Sequence, residues 1–499
     1  MQGGRGTRVD VNSAMMGYMD GPPEYEVAII GSGFGGLGMA VRLKRSGVTS
    51  PVILEKADEV GGTWRDNTYP GAACDIPSHL YSFSFRAGEW SRRFPSQPEI
   101  LRYLRDVVRD SDLRPHLRFE AEVTAITFDE AAGAWEIRLA AGEVVTARAV
   151  VSSVGQLNRP ALPDIPGQDS FQGASWHSAR WDHTYDLDGR RVAVVGTGAS
   201  AVQFVPVIAR RAAAVHVFQR SAPYVIPKPD GPEHPLYRRL PVLASADRLR
   251  TFLTGELLGS ALFGSARLRR VLENRWRAFM ESQVHDAELL DRCVPDYVIG
   301  CKRILFSNDW YPTLALPTVE LVTERVTEIT PRSVVTADGC ERAVDAIVYG
   351  TGFQSTGFLQ PMRVVGKGGL ELHEVWRGGA EAYRGVVVSG FPNFFMLYGP
   401  NTNLGSNSII YMLESQIAYV DRALRAMRSR RLRWLDVRKS VQDEFNRWVQ
   451  TLSARTVWTS GCHNWYTVAG GRNTNNWPTY TFRYRRALRR FDLRDYETA

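Results

Sequence analysis

Two short glycine clusters are the first residues whose type and spacing could do chemistry. Gly31-Ser-Gly33-Phe-Gly-Gly36 follows the apolar run Glu26-Val-Ala-Ile-Ile30, and Gly196-Thr-Gly198-Ala-Ser-Ala201 follows Arg191-Val-Ala-Val-Val195. Glycines let the backbone turn tightly and approach a pyrophosphate, and a helix starting behind them offers unpaired N–H groups to that charge. Ala201 in place of a last glycine stays within the pattern. The two clusters differ at the end of the next strand. Glu55 lies 24 residues after Gly31 (55 − 31), and Arg220 lies 24 residues after Gly196 (220 − 196). A carboxylate accepts hydrogen bonds from a free ribose hydroxyl, whereas a guanidinium grips a 2′-phosphate. The spacing therefore assigns FAD to the first cluster and NADPH, rather than NADH, to the second, with Ser221 beside Arg220. A ligand-free glycine turn, or an ordinary surface arginine, is the bland alternative for each; strand, helix and matched spacing outweigh it.

The cysteines point away from thiol chemistry. Cys74, Cys293, Cys301, Cys340 and Cys462 are odd in number and contain no CxxC pair. Neither a disulfide framework nor a zinc site is expected, and a reducing cytoplasm fits. Flavin-dependent disulfide reductases need a cysteine pair at the flavin, and Cys74 has no partner at CxxxxC spacing.

Longer segments narrow the class. Gly61-Gly-Thr-Trp-Arg-Asp-Asn-Thr-Tyr-Pro-Gly-Ala-Ala-Cys-Asp75 resembles the pattern [A/G]GxWxxxx[F/Y]P[G/M]xxxD, and Phe171-Gln-Gly-Ala-Ser-Trp-His-Ser-Ala-Arg-Trp-Asp182 matches FxGxxxHxxxW[P/D] at every fixed position. Both are patterns of type I Baeyer–Villiger monooxygenases, class B flavoproteins, and the chain resembles that family from about Tyr25 to about Tyr496. The resemblance implies an FAD- and NADPH-dependent enzyme that inserts one atom of O2 beside a ketone carbonyl through a C4a-peroxyflavin, giving an ester or lactone.

It also implies roles. In Gly300-Cys-Lys-Arg303, Arg303 is the catalytic cation at the flavin, Asp75 holds it, and Lys302 adds to Arg220 at the 2′-phosphate. Trp465, in Asn464-Trp-Tyr466, contacts the nicotinamide nucleotide, with Thr197 and Ser200 on the same side. Phe34, Thr63, Trp64, Tyr81, Val123 and Asn403, the last in Gly399-Pro-Asn-Thr-Asn403, belong to the FAD side. Phe171, Gly173, His177, Trp181 and Asp182 form a linker or hinge. Gly350-Thr-Gly-Phe353 resembles the point where the family's chain returns to its FAD unit. Thr467–Pro478 departs from the better-known cycloketone enzymes. No metal is implied.

These residues need elements to hold them. Glu26–Ile30 and Val52–Leu54 flank a small-residue helix in a βαβ start, residues 123–151 alternate as a β-meander, and a second βαβ unit opens at Arg191. Residues 242–292 read as helical, 319–350 as a hairpin region with a turn at Ala337-Asp-Gly339, and 408–428 as a helix. The fold class is α/β, with two Rossmann-like dinucleotide-binding domains, the FAD one split in sequence. The expected ranges are a tail over 1–23, an FAD domain over 24–160 and 335–499, a linker over 161–184, and an NADP domain over 185–334 with a helical insertion at 242–292.

Composition is that of a globular chain: 499 residues, 44% hydrophobic, 23% charged, 13 Trp, net charge +8. The arginines are scattered rather than striped, so a nucleic-acid partner is not expected. The most apolar stretch, Thr251–Gly264, is too short and polar to span a bilayer. A monomer or homodimer fits. A heteroatom (N- or S-) oxygenase, an NADPH oxidase and a flavin-binding redox sensor are the competing readings: the first does not need Arg303, the second needs neither a protected intermediate nor a ketone pocket, and the third does not obviously need the Asp75/Arg303 pair.

Overall fold

The structure is a computed structural model that describes residues 22–462, 464–468 and 470–499; of the expected tail, residues 1–21 lie outside the described residues. Strands Tyr25–Ile30 and Pro51–Leu54 pair in parallel, with helix Phe34–Arg45 between them in sequence. Val27, Ala28 and Ile29 are fully buried, as a central parallel strand covered on both faces requires. Val144–Ser152 flanks the other edge and runs antiparallel through Ala134–Leu139 to Val123–Asp129, the expected meander. Leu117–Arg118 pairs with Pro51–Leu54 at the edge, and two strands from far downstream complete this eight-stranded sheet: Arg363–Val365 pairs with Val123–Asp129, and Phe394–Met396 with Val144–Ser152. The first unit is thus split in sequence.

The second sheet holds five parallel strands in the order Val319–Val322, Ala214–Phe218, Arg191–Val195, Ala346–Tyr349, Ala174–His177. Two of these move the expected boundaries. Ala346–Tyr349 falls inside the 335–499 range, and Ala174–His177 inside the 161–184 linker, yet both join the second sheet. The reason is burial: Arg191–Val195 needs a paired neighbour on each side, and the fully buried Ala346–Tyr349 supplies one. The chain goes back to the first sheet only after Gly350. There the two connections run side by side, with Ala161 N–H donating to Gly352 O (2.9 Å) and Pro160 bridging Phe353.

The insertion is three helices, Pro241–Leu262, Ala266–Glu281 and Ala287–Arg292. Ser408 caps helix Ile409–Arg430 by accepting from Ile410 N–H. Two of the longer helices lay outside the sequence reading. Gln97–Asp110 carries a legible signal, a Ser96/Glu99 capping box ahead of Ile100, Leu104 and Val107. Lys439–Ser453 does not, because the face it buries is largely polar: Gln442, Asn446 and Ser453 beside Val449.

One expectation is corrected outright. Cys301 and Cys462 form a disulfide across 161 residues of sequence, leaving Cys74, Cys293 and Cys340 free. Local spacing rules see only neighbouring pairs, and this pair is brought together by the fold.

Candidate active site

A single cavity of about 1660 Å³ runs past both glycine turns. The turns are built alike. Gly31 and Gly196 sit at φ +100° and +104°, and a Cβ on either would lie 2.7 Å from a carbonyl of the adjacent strand exit, Ser153 O or Gly350 O. Both positions demand glycine for backbone reasons. Gly36 demands it for packing, since its Cβ would stand 1.9 Å from Gly31 O. Gly33 and Gly198 are different. Their φ values are ordinary, −77° and −76°. The nearest atoms to an added Cβ are 4.0 and 3.5 Å away. Nothing in the protein itself requires glycine there, which leaves close approach of a ligand as the requirement. Each is the N-cap of a helix with no side-chain cap and no acid in its first turn, so the free N–H groups face the cavity's anion positions. The residues present fit two dinucleotides.

Of the residues singled out from sequence, Gly31, Gly33, Phe34, Glu55, Thr63, Trp64, Asp75, Tyr81, Val123 and Asn403 line this cavity, as do Gly196, Thr197, Gly198, Ser200, Arg220, Ser221, Lys302, Arg303 and Trp465. Gly36 and Ala201 stand behind the turns. Phe171, Gly173, His177, Trp181 and Asp182 do not reach the cavity. Gly173 packs against Asp345 O, where a Cβ would be 2.5 Å away. Trp181 packs on Trp176 and Phe204, and Asp182 caps a turn by accepting from Thr184. His177 accepts from Ala179 N–H through Nδ1 and lies against Phe353 at the crossing. Burial pushes its imidazolium below the usual histidine range.

Glu55 ends its strand 4% exposed. Burial alone would raise its pKa, but the Ser32 hydroxyl and N–H and the Arg65 guanidinium (3.0 Å) outweigh it and hold the carboxyl below its usual range. Its oxygens are therefore pre-oriented acceptors at the cavity wall. Trp64 Nε1 donates to Tyr81 OH at 3.0 Å, and Phe34 packs edge-on against Tyr81.

Between the two turns, Arg303 donates to Asp75 Oδ2. The pair is partly accessible, 35% for the Arg303 side chain and 22% for Asp75, because it faces the cavity. The Asp75 carboxylate beside it pushes the Arg303 guanidinium above its ordinary value despite desolvation. A fixed cation results, charged at any working pH. Two phenols that sequence reasoning passed over, Tyr398 and Tyr466, complete its surroundings. Burial raises both, Tyr466 to about 12, while Arg303 draws them down. Tyr398 stands in an apolar run and looks like ordinary core, and Tyr466 entered only as the end of the Asn464-Trp-Tyr466 segment, with no role of its own.

At the other end Lys302 Nζ donates to Ser221 Oγ at 2.7 Å and lies over the Tyr297 ring. Desolvation lowers its pKa, and Arg220 lowers it further; the two cations are close enough to repel. Asp296 opposes the shift without cancelling it, and neighbouring cations of this kind are a seat for a phosphate. Trp465 is held through its carbonyl, which accepts from Ser355 Oγ (2.8 Å) and Asn475 Nδ2 (2.9 Å). The Thr467–Pro478 segment proves to be structural at this point. Asn473, Asn475 and Asn476 are almost fully buried and lace the Gly399–Asn403 loop in place. Asn401 Nδ2 donates to Asn473 O, and Asn403 Nδ2 to Asn476 Oδ1. The run Asn473-Thr-Asn-Asn476 was the available signal.

Two dinucleotide cradles on one cavity, with an oriented guanidinium between them, define a flavin- and nicotinamide-dependent monooxygenase. Comparison with known proteins gives the family. The pyridine nucleotide-disulphide oxidoreductase family matches residues 28–231. A Baeyer-Villiger monooxygenase of Streptomyces coelicolor is 47% identical over 478 residues, 94% of this chain and 92% of its own. One of Pseudomonas aeruginosa is 44% identical over 480 residues, 94% of this chain and 91% of its own. The crystal structure of OTEMO in complex with FAD and NADP superposes with a TM-score of 0.86 at 27% identity, covering 96% of this chain and 100% of that one. The chain belongs to the Baeyer–Villiger monooxygenase family.

Proposed function

We propose that this enzyme takes a ketone with an apolar body and inserts one atom of O2 beside the carbonyl, giving an ester or lactone and consuming NADPH. The observation that carries the reading is the Arg303–Asp75 pair on the cavity shared by the two glycine turns. Bound FAD, reduced by NADPH, supplies the activated oxygen. The chain's part is position and field. Glu55, Gly33 and the N-terminus of Phe34–Arg45 would hold FAD; Gly198, Arg220, Ser221 and Lys302 would hold NADPH, with Trp465 on the nucleotide side of the cavity. Arg303 stabilises the negative charge that develops on oxygen as the carbonyl is attacked, and being pre-oriented it needs no rearrangement to do so. Asp75 sets its direction and offsets the cost of burying it. Heteroatom oxygenation builds no such oxyanion, so this pair favours the ketone. Leu258, from the inserted Pro241–Leu262 helix, and Ile76, Ile409 and Leu413 give the cavity apolar wall, which suits the carbon skeleton of a ketone.

The test is a panel of linear, cyclic and aryl ketones with NADPH and O2, products identified by mass spectrometry. Esters or lactones 16 mass units above the ketone are expected, roughly one per NADPH. Oxidation confined to sulfides or amines would reject the ketone assignment.

A further inference from the structure

We propose that the Cys301–Cys462 disulfide is a positioning tie for the nicotinamide side of the site, and that opening it weakens NADPH binding while leaving FAD in place. The proposal rests on the reading of Lys302, Arg303 and Trp465 given above.

Cys301 immediately precedes Lys302 and Arg303, and Cys462 stands in the C-terminal segment that carries Asn464 and Trp465. The two segments are 161 residues apart in sequence and are joined through sulfur. Among the described residues no backbone–backbone hydrogen bond links residues 300–304 to 457–466. Asn464 completes the joint. Its Nδ2 lies 3.8 Å from Cys301 Sγ and 3.6 Å from Cys462 Sγ and donates to Trp458 O at 2.9 Å. Its Oδ1 accepts from Tyr466 N–H at 3.0 Å. The turn presenting Trp465 is thus folded over the disulfide. On the other side the tie continues through Lys302 to Ser221, and through Arg303 to Asp75. This covalent bond, together with the Ser355 and Asn475 hydrogen bonds to the Trp465 carbonyl, therefore sets the distance between the cations for the nucleotide phosphate and the tryptophan of the nucleotide side.

Neither cysteine lines the cavity, so the pair does not face the flavin as a reductase pair does. It is reachable from outside: Cys301 is fully buried but Cys462 is partly exposed. A small-molecule thiolate can bond to Cys462 Sγ; the S–S bond breaks, and its electron pair leaves on Cys301 Sγ, which takes up a proton. A second thiolate then releases Cys462 as thiolate, and the two attacking thiols depart as their own disulfide. Hydrogen peroxide reverses the change: the two thiols give up two electrons and two protons, its O–O bond breaks, and two waters form.

The experiment uses the FAD-loaded enzyme. Protein isolated under an alkylating agent is digested and mapped by mass spectrometry; Cys340 is expected to be alkylated directly, and Cys301 and Cys462 only after reduction. NADP+ affinity is then measured by calorimetry before and after treatment with dithiothreitol. A loss of about fivefold or more is expected, with FAD content unchanged and affinity restored by peroxide. In turnover the KM for NADPH should rise with kcat little changed. Cys462→Ser should bind NADP+ as the reduced wild type does and ignore dithiothreitol; if it folds poorly, the wild-type titration decides alone. Free Cys301 and Cys462 in the unreduced protein, or unchanged NADP+ affinity after full reduction, overturns the tie. Thiol-sensitive NADP+ binding in a protein that oxygenates no ketone would instead leave the tie standing and reject the ketone reading.

Discussion

Arg303 shows what a single residue needs in order to serve as the catalytic group proposed for it. Its charge is guaranteed by chemistry, its direction by Asp75, and its access by the cavity. Arg303→Ala is expected to retain FAD, because the Gly31 turn and Glu55 are untouched, and to reduce its flavin with NADPH. It should lose ester formation by about a hundredfold or more, with hydrogen peroxide appearing instead; ester and peroxide per NADPH, measured together, are the check. Near-normal coupling would remove Arg303 from the site. Lys302 makes a pH-dependent prediction. Burial, then Arg220, lowers its pKa, so it loses its proton at lower pH than a free lysine. The protonated form is the one that attracts a phosphate, so the KM for NADPH should climb as pH rises through that depressed pKa. Lys302→Met should start higher and stay flat over the same range. One lost charge-assisted contact is worth about 1.5–3 kcal/mol, roughly tenfold or more in kcat/KM. NADH, lacking the phosphate, should be nearly indifferent to the change. At this scale most of the site was legible, since Arg303, Asp75, Lys302 and Trp465 stand in recognisable segments. Tyr398 and Tyr466 were not, because their place beside Arg303 comes from neighbours distant in sequence; Arg65, ten residues from Glu55, stood inside a quoted segment with no role of its own.

The glycine turns are the informative elements. Three different reasons for glycine sit within one hexapeptide, and they predict different failures. Gly33→Ala meets no protein atom closer than 4.0 Å, so the apoprotein should melt as the wild type does while FAD affinity falls sharply. Gly36→Ala drives a methyl to 1.9 Å from Gly31 O and should destabilise the apoprotein itself by about 1–3 kcal/mol or more, as overpacking does. Thermal melts of both apoproteins beside FAD titrations separate the two. Equal stability losses would mean that Gly33 is a packing residue after all. Helices of 22 residues such as Ile409–Arg430 were readable from their apolar period and cap. Lys439–Ser453 was not, because its inward face is largely amide and hydroxyl, satisfied by partners that only the fold supplies.

Across the whole molecule the two units are joined by several polar contacts, among them Thr68–His183, Arg303–Asp75 and those of Gln203. From helix Ala199–Ile208 of the second unit Gln203 accepts from Tyr69 OH (3.0 Å) and donates to Ala73 O (3.0 Å), inside the segment that ends at Asp75. Gln203→Ala should cost about 1–3 kcal/mol for the unpaired partners, keep FAD, and slow flavin reduction by NADPH; stopped-flow absorbance reads this directly. A normal reduction rate would show that the units are aligned by other contacts. The sequence by itself determined the two cradles, their acid-versus-base difference and the family segments, because each depends on residues within about two dozen positions, where backbone geometry converts spacing directly into place. Only the tertiary structure decided that Ala346–Tyr349 and Ala174–His177 close the second sheet, that an asparagine-rich stretch braces the Gly399–Asn403 loop, and that Cys301 meets Cys462. Those pairings join segments separated by up to 172 residues (346 − 174), and over such distances no local period records which parts of the chain will meet; burial and hydrogen-bond satisfaction in the folded molecule settle it.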